Sequence, residues 1–120
     1  MNTIAERYGV DETNGLDLIG HDYHNRVDYT ETMTLGQVAA AGGKITRLRV
    51  LGVGPDGFYA DISYVHATLP DGRIVPLYGD YPMCFPIRTI KRELIKWAKS
   101  HGVYAKGLGL LDESNWSVLR

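Results

Sequence analysis

Between Ile87 and His101 the sequence IRTIKRELIKWAKSH carries a sustained helical period, and no other feature constrains the fold as much. At ~100° per residue, Ile87, Ile90, Leu94, Trp97, Ala98 and His101 fall within an arc of about 100°. Pro86 suits the start of such a helix, because the first turn leaves its N–H unused in any case, and Gly102 supplies a stop. A helix with one apolar flank must bury it, so the rest of the chain has to provide a layer for it to cover.

That layer is legible from Lys44 onward. KITRLRVLGV is rich in branched residues, GPDG is a turn, and FYADISYVHATL alternates, with Phe58, Ala60, Ile62 and Tyr64 expected on one face; LPDG then turns into RIVPLY. The expectation is a three-stranded antiparallel meander. Pro76 lacks a ladder donor, so the third strand is expected to lie at an edge or to pair only on one side near that point. Upstream, Thr32 or Thr34 can cap a short helix through LGQVAAA that Gly42 and Gly43 end.

The stretch GDYPMCFP, with Pro82 and Pro86 around Cys84, is a constrained connection. After the long helix, Trp116, Val118 and Leu119 are apolar enough to dock a C-terminal tail, and Asp112 or Ser114 can cap one last turn. Residues 1–33 show neither period and read as an irregular acidic arm with one short strand. The whole is an α+β fold of one domain, residues 1–120. The arm is 1–33, and the compact core 34–120 holds a short helix, the meander, one amphipathic basic helix and the docked tail.

Composition agrees with a single domain. Of the 120 residues, 44% are hydrophobic and 22% charged, which argues against wholesale disorder, and there are no internal repeats. The lone cysteine, Cys84, has no intramolecular disulfide partner and no second cysteine for a Cys-rich zinc site, which points to a reducing, cytoplasmic setting. No apolar run approaches the roughly 20 residues of a membrane helix, and MNTIAERYGVDE lacks the basic and apolar regions of a signal peptide, so no membrane partner is expected.

Charge is unevenly placed. Residues 1–33 carry seven acids against Arg7 and Arg26, while the remainder carries eleven bases against seven acids. Either the halves complement each other or the basic half meets an anionic partner. On the helical wheel, Arg88, Arg92, Lys96 and Lys99 lie within about 80°, opposite the apolar arc, with Lys91 beside them and only Glu93 in opposition. Arg88 and Arg92, one turn apart, can fork onto one anion. Solvated charge kept for solubility is the plain alternative.

The order helix, three strands, basic helix resembles, as topology, the double-stranded RNA binding domain over about residues 34–101. That family's lysine-rich helix start and its Gly-Pro-x-His loop are absent, the loop here being GPDG, so the likeness transfers no function.

Other constellations carry less. His21, Asp22 and His24 are ligand types a transition metal accepts, without a third histidine or cysteine nearby. Cys84 with His66 or His101, aided by Asp80 or Tyr81, is a thiolate and base pair in composition, but a cysteine between Met83 and Phe85 is expected to be a small buried hydrophobe. The glycines at 52–57 and 107–109 match no phosphate-binding loop. Eight tyrosines, of which Tyr8, Tyr23 and Tyr29 lie in the arm, suit interfaces. No catalytic residue, metal site or cofactor is expected.

The functional expectation is a small non-enzymatic binding protein. It uses Arg88, Lys91, Arg92, Lys96 and Lys99, with the sheet aromatics Tyr59 and Tyr64, to engage an anionic partner: nucleic acid, a phosphorylated small ligand or an acidic protein surface. Two alternatives belong to other classes. One is an accessory inhibitor of phage or plasmid type that docks onto a host protein complex such as a defence system; the other is a small enzyme using Cys84. An edge strand also makes a homo-oligomer one outcome.

Overall fold

Branched residues at alternate positions make Lys44–Val53 (β1) and Tyr59–Thr68 (β2) a long antiparallel pair, each ten residues. The computed structural model describes residues 26–54 and 58–119. Ile74–Pro76 (β3) pairs antiparallel with the end of β2, and Phe85–Pro86 (β4) pairs with its beginning. Trp116–Leu119 (β5) lies on the other side of β1 and runs parallel to it, so the sheet order is β3-β2-β1-β5 with β4 beside β2. The α+β class is therefore observed. The sheet is larger than the three strands expected from the sequence, because the C-terminal residues enter it as a strand.

The register of β1 against β2 slips between Arg49 and Val50, which pair with Tyr64 and Ile62. Ser63 is the extra residue of this bulge, and it re-aims everything after it. Ala60 and Ile62 before the bulge, and Val65 and Ala67 after it, all point into the core. Tyr64, expected on the same face as Ala60 and Ile62, lies on the opposite face instead.

The described helices pack their buried residues into the core. Leu35–Ala40 (α1) opens with a reciprocal cap: the Thr34 hydroxyl accepts from the Gln37 amide at 3.1 Å, and the Gln37 side chain accepts from the Thr34 amide at 2.9 Å. The long helix is shorter than its apolar period, running Ile90–Ser100 (α2) after a 3-10 turn at Ile87–Thr89. The reason is local. The Ile87 N–H is committed to Phe58 O, just before β2, and the Thr89 hydroxyl donates to Pro86 O, so the entry is tightened against the sheet edge. At the other end Gly102 takes φ +70, and paired bonds from Gly102 N to Lys99 O and from Val103 N to Ala98 O close a Schellman turn.

Ala105–Leu108 (α3) follows and ends at Gly109 with φ +91. A Cβ at Gly109 would sit 2.9 Å from Ile45 O, so this glycine also lets the chain pass close over β1. Asp112 then caps a 3-10 turn, Glu113–Asn115, and feeds β5. Ile90, Leu94, Trp97 and Ala98 of α2, Leu35 and Val38 of α1, Leu108 of α3 and Trp116 and Val118 of β5 join one buried cluster with the sheet. At about 25 cal/mol per Å² of apolar area, this single shared cluster dominates the stability.

Two segments show where the sequence expectations meet the structure differently. Residues 27–33 run along the outer side of β3, with parallel bridges Val27–Ile74 and Met33–Leu77, so the edge that the sequence left open is taken up by the chain itself. Cys84, expected to be buried, is exposed. Its φ of +54 and the tie from its N–H to Asp61 Oδ1 turn the side chain outward, while Phe85 enters the core. The Pro82–Pro86 connection stays against β2 throughout, since Ile62 N donates to Pro82 O.

Candidate functional site

The two faces of the sheet differ in chemistry. Opposite the helices, residues two apart on β1 and β2 bring Arg47, Arg49, Tyr64 and His66 together. The Arg49 guanidinium lies 4.9 Å from the centre of the Tyr64 ring, Tyr64 stacks on His66 at 4.5 Å, and Tyr29 meets His66 edge-on at 6.2 Å. Arg47, Arg49, Tyr64 and His66 are all engaged within the chain. This group did not figure in the sequence reading, although the spacing Arg-x-Arg and Tyr-x-His over two strands is its signature.

The exposed flank of α2 has a different character. Arg88, Lys91, Arg92, Lys96 and Lys99 are all solvent-exposed. Lys91 and Lys96 have only long ion pairs, 3.9 Å to Glu113 and 3.8 Å to Glu93, of the kind that contributes little at a surface. Arg88, Arg92 and Lys99 form no ion pair with any acid among the described residues. The structure thus exposes all five predicted cations, Arg88 in the turn before α2 and the other four on α2, three of them without an ion pair among the described residues.

Aromatic and apolar residues bracket this flank at both ends. At its beginning Arg88 lies 5.9 Å from the Phe58 ring, which meets Tyr59 edge-on at 5.1 Å, and both rings are substantially exposed. Tyr59 therefore sits with the basic flank. Tyr64 does not, because the bulge carries it to the other side of the sheet. At the end of the flank, Ile95 and Lys99 form one wall of an apolar groove of about 210 Å³, closed by Val103, Ala105 and Leu111 and edged by Tyr104 and Lys106. Tyr104 is 73% exposed, more than any other large apolar or aromatic residue described. It rests across Gly107, where an added Cβ would come within 3.1 Å of the ring.

A neighbouring groove of about 380 Å³ lies on the far side of Tyr104, lined by glycines 42, 43, 102 and 107. Its lysine, Lys44, donates to Gly107 O at 2.6 Å, so that charge is tied to the protein's own backbone.

The remaining sequence candidates are dispersed. His21, Asp22, His24, Tyr8 and Tyr23 lie outside the described residues. His101 Nε2 is 2.8 Å from Asp80, and Asp80 also accepts the Trp97 indole N–H at 3.2 Å, which pins the 78–81 excursion to the end of α2. Burial raises the pKa of the neighbouring Tyr81 hydroxyl, which donates to Leu77 O. No hydrogen bond links the Cys84 thiol to an imidazole among the described residues. No group of three or more His, Cys, Asp or Glu that could hold a metal is found among them either, and no described helix is long and apolar enough to cross a membrane.

No protein-family model matches the chain, and no curated protein or solved structure matches it.

Proposed function

We propose that this chain is a non-enzymatic binding domain that engages an anionic partner through the exposed flank of α2. The observation that carries the reading is the set Arg88, Arg92 and Lys99. These are three exposed cations, Arg88 in the 3-10 turn that leads into α2 and Arg92 and Lys99 on α2 itself, with no ion pair to an acid among the described residues, and Lys91 and Lys96 lie on the same helix. Cations held for solubility are commonly interleaved with acids at i,i+4, and here Glu93 alone plays that part on α2. Arg88 and Arg92 flank the start of α2 four residues apart, a spacing that suits two guanidiniums converging on one carboxylate or phosphate.

The aromatic pair Phe58 and Tyr59 beside Arg88 adds contact area that an interface uses and a merely solvated helix does not. The test is reversal of charge. Tagged wild type and the double variant Arg88→Glu, Arg92→Glu are used in parallel to capture partners from the native cytosol. The reading expects the bound species to be released from wild type by salt and to be missing from the variant, with unchanged circular dichroism. Equal capture by both proteins would overturn it.

A further inference from the structure

We infer that the groove between Ile95 and Leu111 is a docking slot for an acidic peptide segment of a partner protein, one that seats an apolar side chain in the groove and sets carboxylates against Lys99 and Lys106. The inference rests on the proposed use of the α2 flank and names the class of partner for it.

Three observations narrow the occupant. The groove walls are aliphatic, from Ile95, Val103, Ala105 and Leu111, so they match a leucine, isoleucine or phenylalanine side chain. The groove's polar side chains, Tyr104, Lys99 and Lys106, are set among four aliphatic ones, a poorer match to the polar edge of a nucleobase. Second, the two lysines that edge the groove carry no ion pair with any acid among the described residues, so a partner's carboxylates meet uncommitted charge there. Third, the charge pattern is mixed. Glu93 and Glu113 interrupt the basic flank, and the whole chain carries a formal charge of −1. A continuous phosphodiester backbone would be repelled at those carboxylates, and domains that bind it usually carry a strong basic excess. A peptide with spaced acidic residues avoids both difficulties.

The geometry also gives Tyr104 a task. It stands exposed at the lip with its ring laid over Gly107, a rigid amphipathic contact for the peptide backbone at low entropic cost.

The experiment is selection from a random peptide display library on the immobilised full chain, followed by affinity measurement of the enriched peptides. The expected consensus is Leu, Ile or Phe flanked by Asp or Glu, binding about tenfold more weakly to Ile95→Gln and to Tyr104→Ala. The pair Lys99→Glu, Lys106→Glu, both at exposed positions, should shift the selected flanks from acidic to basic. Library selection without an acidic consensus, or peptides insensitive to all three variants, would overturn the slot. If peptides respond to Arg88→Glu with Arg92→Glu but not to Ile95→Gln or Tyr104→Ala, the basic flank stands and the groove falls. If neither set matters, both readings fall. A deoxythymidine homopolymer that displaces the peptides and binds more tightly would assign the flank to single-stranded nucleic acid instead.

Discussion

Asp80 holds His101 across 2.8 Å, carboxylate to imidazole Nε2, and through this contact the excursion after β3 is fastened to the C-terminal turn of α2. The same carboxylate takes the Trp97 indole N–H, so one side chain serves two donors. Asp80→Ala should therefore cost about 1 kcal/mol, since the site is partly exposed and each bond is modest. The urea midpoint measures it, and Trp97 emission should shift because the indole loses its acceptor. A midpoint unchanged from wild type would mean that the excursion is held by Tyr81 and Trp97 packing alone.

Two glycines with similar backbone angles should respond differently to alanine. At Gly102, φ +70 with open space around it, the cost is about 1 kcal/mol from the left-handed conformation. At Gly109, φ +91, the new methyl also meets Ile45 O at 2.9 Å, and about 2–3 kcal/mol is expected because backbone must move. Thermal melts of the two variants decide the order. Equal costs would show that the crossing over β1 relaxes freely.

Ser117 is buried at 4% exposure on β5, and its hydroxyl finds no hydrogen-bond partner among the described residues. Removing a buried hydroxyl that has no partner relieves a desolvation cost, so Ser117→Ala should be neutral or stabilise by up to about 1 kcal/mol. Leu48→Ala, on the adjacent strand and wholly buried, should cost about 2–5 kcal/mol. Chemical denaturation of both variants tests the contrast, and clear destabilisation by Ser117→Ala would contradict it.

The Asp112 carboxylate accepts from the hydroxyl and the amide of Ser114, and these bonds hold its pKa below the ordinary carboxylate range. A carboxyl with a lowered folded-state pKa stabilises the protein above its unfolded value, and that contribution is lost as pH falls through the folded value. Stability lost on acidification below about pH 4 should accordingly be smaller in Asp112→Asn. Melting temperatures across the acid range read this directly, and parallel curves would remove Asp112 from the account.

Much of α2 could be read before any coordinates, because its period reports the face that the structure buries: Ile90, Leu94, Trp97 and Ala98 are all in the core. A threonine cap for α1 was legible for the same reason, being a local interaction between residues three apart, with Thr32 and Thr34 both on offer and Thr34 the one used. What depends on distant residues was not. Alternation placed Tyr64 with Ala60 and Ile62, and only the pairing partner reveals the bulge at Ser63. Trp116–Leu119 is too short to announce a strand, and its partner, β1, is most of the chain away. The site divides likewise. Four of the five cations sit on α2, where the wheel could find them, and Arg88 in the turn before it, whereas the groove beside them exists only because the chain turns back at Gly102 and lays residues 103–111 along α2.

The parallel pairing of β5 with β1 also bears on the order of events during synthesis. Leu48 faces Trp116, and Val50 faces Val118, so the ten-residue β1 lacks its neighbour on that side until residues 116–119 have been made. Local hairpin and helix contacts form early, but closing this pair bridges a high sequence separation and is intrinsically slow. A nascent chain would hold β1 as an unprotected edge from the synthesis of Val53 to that of Trp116, which makes that strand the natural point of attachment for a chaperone and the first place for aggregation when the β5 pairing is lost.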